Sequence, residues 1–138
     1  LERIDTEKIS NIYVLNGDGR DFLKKLPKDT ISEACVLFPD PWQKSKHVSR
    51  RIIQQEFLND MSKILIKNST LHLSSDHPKA QEWILRSLTN NKNYDWDIEK
   101  IYDCYQKPKI FGETKYMKKS IREMRKAMWF KFINTKEC

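Results

Sequence analysis

The stretch from Phe38 to Trp42, FPDPW, holds one aspartate between two prolines, directly in front of a tryptophan. Because a proline disfavours the helical region for the residue before it, Pro41 restricts Asp40 and Pro39 restricts Phe38. The backbone itself is therefore expected to aim the Asp40 carboxylate, and such preorganisation is what a reacting centre needs. A tight turn that only ends a strand is the alternative interpretation, since turns also use prolines.

A rigid carboxylate beside an aromatic ring suits the methylation of a ring nitrogen. In that reaction a methyl sulfonium lies in line with a nitrogen lone pair, and nearby negative charge stabilises the cation that passes from sulfur to the ring. Guanine N7 has a free lone pair, so the reaction needs no strong general base. Asp40 and Trp42 are therefore candidates for a centre that methylates a nucleobase.

Two more aspartates, Asp18 and Asp76, also follow segments with the pattern of a strand. Segment 11–18, NIYVLNGD, closes with a Gly-Asp-Gly turn, and segment 69–76, STLHLSSD, ends in polar residues. Ligands of α/β sheets collect at the carboxyl ends of the strands, so we expect these two aspartates and Asp40 to lie at one binding edge. The glycines beside Asp18 indicate either a cofactor loop or a turn in which glycine relieves local strain.

Strand-like and helix-like segments alternate along the whole chain. Strands are predicted at 11–18, 33–38, 69–76, 94–102 and 127–133, and helices at 20–26, 50–66 and 78–88. Ser49 and Pro78 are suited to helix starts. This alternation predicts an α/β fold with a mainly parallel sheet and helices on both faces. By length, residues 1–138 are expected to form a single domain.

The net charge of +7 is concentrated in two segments. Residues 44–51 contain four cations and no acid, and residues 107–126 contain eight cations and two acids. Focused basicity is typical of a protein that binds a polyanion, although two solvated lysine-rich loops would have the same composition. Trp42 and Tyr116 adjoin these segments, which favours nucleic acid over an anionic membrane because bases stack on aromatic rings.

The cysteines and the hydropathy argue against metal-binding, redox, secreted and membrane proteins. Cys35, Cys104 and Cys138 are far apart and form no Cys-x-x-Cys pair, so we predict neither a zinc site nor a redox motif. Such spacing is typical of a reducing compartment. No apolar run has the length of a signal peptide or a membrane span, so the cytoplasm is the predicted location, with no membrane partner.

The segment 38–53, FPDPWQKSKHVSRRII, resembles the signature of the bacterial tRNA (guanine-N7)-methyltransferases, a class I family that depends on S-adenosylmethionine. Three more segments resemble this family in the same order. They are NIYVLNGD, which resembles a strand ending in an acid, LHLSSD, which resembles a strand ending in aspartate, and GETKYMKKSIRE, which resembles a late substrate loop. The resemblance extends from Asn11 through nearly the whole chain.

The resemblance implies a Rossmann-like class I methyltransferase sheet, S-adenosylmethionine as cofactor and tRNA as partner. The implied reaction is methyl transfer to N7 of the variable-loop guanine at position 46 of tRNA. Carried over to this sequence, the resemblance implies that Asp18 and Asp40 bind the cofactor and that Asp40 also acts in catalysis at the reacting guanine. It implies that Lys44 and Asp76 contact the RNA. The late substrate loop would consist of Thr114, Lys115, Tyr116 and Met117. The family usually has glutamate where this chain has Met117, and Glu113 lies close by in the sequence.

The resemblance also implies that the fold is N-terminally incomplete. The family begins with a glycine-rich cofactor loop and a further acid, and neither precedes Asn11. We therefore expect a fragment, a shortened relative, or a chain completed by another polypeptide or by self-association. Two other functions are consistent with the sequence: a catalytically inactive RNA-binding remnant of the family, and a DNA amino-methyltransferase, whose Asp-Pro-Pro-Tyr/Trp pattern is close to PDPW.

Overall fold

A four-stranded sheet lies at the centre of the computed structural model, which describes residues 6–137. The elements in chain order are α1 (Gly19–Leu23), β1 (Ile31–Leu37), a 3₁₀ helix (Ser45–Arg50), α2 (Gln55–Ile64), β2 (Leu65–Ser75), α3 (Pro78–Thr89), β3 (Tyr94–Trp96), a second 3₁₀ helix (Ile101–Tyr105), α4 (Lys115–Arg122) and β4 (Met128–Asn134). Strands and helices alternate, which confirms the predicted α/β class.

The strand order in the sheet is β1-β2-β4-β3. β1 and β2 are parallel, and β4 is antiparallel to both β2 and β3. Three strands therefore run in one direction, but the expectation of mainly parallel pairing is wrong around β4. Within the described residues, only a 3₁₀ helix and the short helix α4 separate β3 from β4. β4 therefore starts at the end of the sheet where β3 stops, and it runs antiparallel to β3.

The predicted strand 11–18 is absent from the structure, where these residues form irregular backbone. Ile12, Val14 and Leu15 are exposed, and the side chain of Tyr13 is 93% exposed. A lone β-prone segment is not stable in water without a neighbouring strand, and none of the described residues pairs with this one. The acid that ends the segment caps a helix instead, as described below.

The predicted helix 50–66 is also shorter in the structure. Ser49 belongs to the first 3₁₀ helix, and the N-cap of α2 is Gln54. The Gln54 side-chain amide donates hydrogen bonds to the carbonyl oxygens of Val48 and Arg51, at 2.8 and 3.1 Å. These bonds hold the extended residues between the two helices, so the basic segment enters α2 through a bend.

The main core lies on one face of the sheet. Leu71 and Leu73 of β2 pair in register with Phe132 and Phe130 of β4, and all four side chains are fully or almost fully buried. The apolar sides of α2 and α3 pack on this layer through Phe57, Leu58, Met61, Ile84 and Leu88. On the opposite face the ring of Phe111 stacks on Trp129, with centroids 5.5 Å apart.

No helix within residues 6–137 combines the length and the apolar character that a membrane crossing requires. Cys35 is exposed and Cys104 is buried, and both are free thiols. Cys138 lies outside the described residues.

Candidate active site

The loop after β1 carries two aromatic residues with positive φ. Phe38 has φ 51° and Trp42 has φ 40°, on either side of the Pro-Asp-Pro unit. Phe38 avoids the right-handed helical region, as its proline neighbour predicts, but it adopts the left-handed region instead of extended backbone. Bulky residues there cost about 1–3 kcal/mol each, and they persist only where other contacts hold them. Such strain is concentrated at functional sites.

Hydrogen bonds from β2 and from Arg51 hold the loop. The Phe38 N–H donates to the carbonyl and the hydroxyl of Ser74, at 3.0 and 3.2 Å. The Arg51 guanidinium donates to the carbonyl oxygens of Pro41 and Trp42, at 3.1 Å each. Arg51 is only 8% exposed, and its guanidinium lies 5.0 Å from the centre of the Trp83 ring. Arg51, which the sequence placed in a basic surface segment, is thus a buried clamp on the loop.

A cavity of about 240 Å³ opens where β1 and β2 end. Asp40 follows β1, Asp76 follows β2, and Tyr116 comes from α4, and all three line this cavity. Asp40 is exposed. The structure therefore brings together three residues that the sequence analysis selected from distant parts of the chain. We call this space the Asp40 cavity.

The aromatic surface of the Asp40 cavity differs from the predicted one. Tyr116 stacks on Phe38 with an interplanar angle of 14° and ring centres 6.3 Å apart, and Phe38 meets Trp129 edge-on at 5.6 Å. Trp42 does not line this cavity. Its ring lies beneath Arg50, 5.0 Å from the guanidinium carbon.

Asp76 is paired inside the protein. Arg125, which precedes β4, donates from Nε to Asp76 Oδ2 at 2.8 Å and also contacts Glu123. Only 18% of the Asp76 side chain is exposed, and the hydrogen bond to Asp76 raises the pKa of Arg125. Sequence reasoning missed Arg125 because 49 residues separate the partners. The sequence feature that could have pointed to Arg125 was its position near the end of the basic segment, just before the last strand.

His77 is a second lining residue that sequence reasoning missed. It is the N-cap of α3, and burial lowers the pKa of its imidazole, against the opposing effect of Asp76. Its Nδ1 is buried and has no hydrogen-bond partner within residues 6–137. A buried polar atom without a partner costs about 1–3 kcal/mol, so it marks a position where a bound group would be stabilised.

Asp18 does not reach the Asp40 cavity. It caps α1, accepting the Arg20 backbone N–H at 2.9 Å, and it pairs with the Arg20 guanidinium at 2.6 Å. These hydrogen bonds lower the pKa of Asp18 to about 2. Asp18 lines a separate cavity of about 400 Å³ together with Lys24 and Gln54. The structure thus places the two predicted cofactor residues, Asp18 and Asp40, in different cavities.

The other predicted residues lie on the surface around the Asp40 cavity. Lys44 is exposed and does not line the cavity, although its neighbour Gln43 does. Thr114 is the N-cap of α4, and its hydroxyl accepts the Met117 N–H at 3.2 Å. Lys115 borders a groove along α4 whose other cations are Lys118, Lys119 and Arg122. The predicted substrate loop is therefore a short basic helix.

A sequence model of the family described as "Putative methyltransferase" matches residues 1–130. The chain belongs to this family. The resemblance drawn from the motifs is thus confirmed at the family level.

Curated relatives agree with this assignment. A protein of Zymomonas mobilis, named tRNA (guanine-N(7)-)-methyltransferase, is 29% identical over 130 residues, which are 94% of this chain and 56% of the relative. A protein of the same name from Rhodospirillum rubrum is 32% identical over 132 residues, which are 96% of this chain and 52% of the relative. The chain therefore spans about half the length of these relatives.

A comparison with solved structures found a SAM-dependent methyltransferase from Archaeoglobus fulgidus. Its TM-score is 0.45 and its sequence identity is 13%, over 99% of this chain and 73% of that protein.

The Asp40 cavity does not by itself fit a whole S-adenosylmethionine molecule. Ligand pockets usually measure about 300–1,000 Å³, and the Asp40 cavity, at about 240 Å³, is smaller. Asp18, the other predicted cofactor residue, lies in a different cavity and is already bound to Arg20. The Asp40 cavity therefore supplies only part of a complete methyltransferase site.

Proposed function

We propose that the protein containing this chain is a tRNA (guanine-N7-)-methyltransferase that modifies the variable-loop guanine at position 46. One observation carries the proposal: Asp40, Asp76 and Tyr116, selected from separate motifs, line one cavity at the strand ends. The family assignment and the names of the two relatives support it. S-adenosylmethionine is the proposed methyl donor, and the rest of its site is proposed to lie outside these 138 residues.

The proposal gives Asp40 an electrostatic role. Its carboxylate is exposed at the cavity and held by a stiff loop. Methylation at N7 makes the guanine ring cationic, so a fixed negative charge at the cavity stabilises the product side of the reaction more than the neutral base. No proton has to leave N7, so the reaction requires no general base at Asp40.

The proposal gives the aromatic pair a binding role. The face of Tyr116 that is not against Phe38 offers a stacking surface, since Tyr116 is 57% exposed. Stacking of a base on an aromatic ring contributes about 1–3 kcal/mol. The cations of α4 lie beside it and can contact the phosphates of the same RNA.

The test is methyl transfer from labelled S-adenosylmethionine to tRNA by the intact protein, with the product located by mass spectrometry. N7-methylguanine in the variable loop is expected from the wild type. Asp40→Ala is expected to lose at least about 100-fold in rate and to keep tRNA affinity within about two-fold. Asp95→Ala, an exposed acid on β3, is the matched control and should keep the wild-type rate.

Other outcomes separate the alternatives. Tight tRNA binding with no methyl transfer by the intact wild type would indicate the RNA-binding remnant. Methylation of duplex DNA instead of tRNA would indicate the amino-methyltransferase. An Asp40→Ala protein with a normal rate would remove Asp40 from the reacting centre.

A further inference from the structure

A second cavity, also of about 240 Å³, adjoins the Asp40 cavity. Gln43 lines both spaces, so they meet at this residue. The floor of the second cavity is formed by α3 and by the stacked pair of Arg51 and Trp83. Tyr116 and Lys119, the α4 residues that line the Asp40 cavity, do not line this second cavity. No motif of the sequence analysis predicted this space.

The residues of α3 at this cavity form one stripe. Lys79, Glu82, Trp83 and Arg86 are spaced i, i+3, i+4 and i+7, which places them on one side of the helix. With a rise of about 1.5 Å per residue, the two cations are separated by about 10 Å along the helix axis. The stripe therefore presents two positive charges at separate positions beside the loop that carries Asp40.

The charge of the second cavity is predominantly positive. Arg51, Lys79 and Arg86 line it, against one acid, Glu82. Lys79 and Arg86 are exposed, and neither forms a salt bridge with any residue between 6 and 137. The Arg51 guanidinium donates to loop carbonyls, but its charge still adds to the local potential.

The floor of the cavity is rigid. The Trp83 indole N–H donates to the Ile53 carbonyl at 2.6 Å, which fixes the ring, and Arg51 is held between that ring and the loop. The site is built on a helix and a clamped loop, so binding there requires little ordering of the protein. Exposed Lys44 follows directly after Gln43 and extends the positive surface.

We propose that Lys79 and Arg86 bind phosphates of the RNA backbone next to the nucleotide that enters the Asp40 cavity. The proposal rests on the proposed function for the identity of the polyanion. Lysine and arginine at a concave positive surface neutralise phosphates and position the nucleic acid without reading its sequence. The RNA would therefore contact both α3 and α4 beside the Asp40 cavity.

The test compares two double variants of the intact protein. Lys79→Ala/Arg86→Ala removes the proposed contacts. Lys28→Ala/Lys92→Ala is the matched control, because it removes the same charge from two exposed residues that precede β1 and β3. Since β1 and β3 run in the same direction, both control residues lie at the sheet edge opposite the strand ends that carry Asp40. All four positions are exposed, so both variants are expected to melt as the wild type does.

Fluorescence anisotropy with labelled tRNA, repeated over a series of salt concentrations, gives both affinity and salt dependence. Loss of two phosphate contacts should weaken binding roughly ten-fold near 0.1 M salt and reduce the slope of log affinity against log salt by about 1.5. The control should change affinity less than about two-fold.

A Lys79→Ala/Arg86→Ala protein that binds tRNA as the control does would overturn the inference while leaving the proposed function intact. The expected change in slope, together with a wild type that binds tRNA but transfers no methyl group, would support the inference and contradict the proposed function. A wild type with no measurable affinity for tRNA would overturn both.

Discussion

At the scale of single residues, the position of Asp40 depends on side chains that do not touch a ligand. Phe38 and Trp42 have positive φ, which costs about 1–3 kcal/mol each. The two hydrogen bonds from Arg51 offset this cost, since each hydrogen bond to a charged group contributes about 1.5–3 kcal/mol. The prolines stiffen the loop, and the hydrogen bonds from Arg51 fix its orientation.

Replacement of Arg51 by methionine tests this account. Arg51→Met leaves the carbonyls of Pro41 and Trp42 without their donor, so we expect a loss of about 2–4 kcal/mol in the free energy of unfolding. Urea denaturation measures it. Arg50→Met is the matched control, because exposed Arg50 lies over the face of Trp42 and its replacement should cost less than about 1 kcal/mol. Equal losses in the two variants would contradict the clamp.

The carboxylate of Asp18 gives a test at the same scale. Hydrogen bonds from Arg20 lower the pKa of Asp18 to about 2, so its charged form is favoured in the folded protein. Any stabilisation from this pair is complete above the ordinary value of 3.8 and is lost as the pH falls towards 2. We expect NMR titration to give that low pKa, and Arg20→Ala to return it close to 3.8. An unchanged pKa in the variant would show that Arg20 is not the cause.

At the scale of elements, α4 carries the residues that the motif comparison assigned to a substrate loop. Its N-cap is Thr114, its third residue is Met117, and Tyr116 between them stacks on Phe38. The glutamate usual in the family at the Met117 position would complete a Thr-x-x-Glu capping box, in which glutamate binds the N-cap backbone N–H. Methionine in place of the family's glutamate at position 117 is therefore expected first to lower the stability of α4.

Amide hydrogen exchange of residues 115–120 tests the capping role. Thr114→Ala removes the cap and should lower the protection of α4 by about 0.5–2 kcal/mol, and Thr114→Ser should keep it. Met117→Glu should raise the protection by a few tenths of a kcal/mol to about 1 kcal/mol. If Met117→Glu changed tRNA methylation without changing exchange, position 117 would contact the RNA instead of supporting the helix.

At the scale of the whole molecule, only part of the positive charge is available to a ligand. Arg51 and Arg125 are turned inward, to the loop carbonyls and to Asp76. The groove of α4 shares Lys119 with the Asp40 cavity, and the cavity along the stripe of α3 shares Gln43 with it. The exposed cations available to a ligand beside this cavity are thus those of α3 and α4.

Calorimetric titration with S-adenosylmethionine tests how much of the cofactor site these residues hold. The Asp40 cavity is small and Asp18 lies elsewhere, so residues 1–138 alone should show no binding tighter than about 1 mM. A protein that joins this chain to the rest of the proposed site should bind, and Asp40→Ala should weaken that binding. Micromolar binding by the 138-residue chain, lost in Asp40→Ala, would show that the pocket is sufficient here.

The sequence by itself determined the α/β class, the strand-end position of Asp40 and Asp76, the basic segments and the family. These features depend on local periodicity, on the fixed geometry of proline and on the order of motifs, and all of them can be read without knowing which strands are neighbours. The match to a methyltransferase family and the cavity shared by these aspartates agree with that reading.

Only the tertiary structure decided which side chains meet. It placed β4 between β2 and β3, paired Asp76 with Arg125, turned Arg51 inward and stacked Tyr116 on Phe38. It also left segment 11–18 without a strand partner among the described residues, and put Asp18 in a cavity of its own. Each of these outcomes depends on contacts between distant parts of the chain, and neither local propensity nor spacing encodes such contacts.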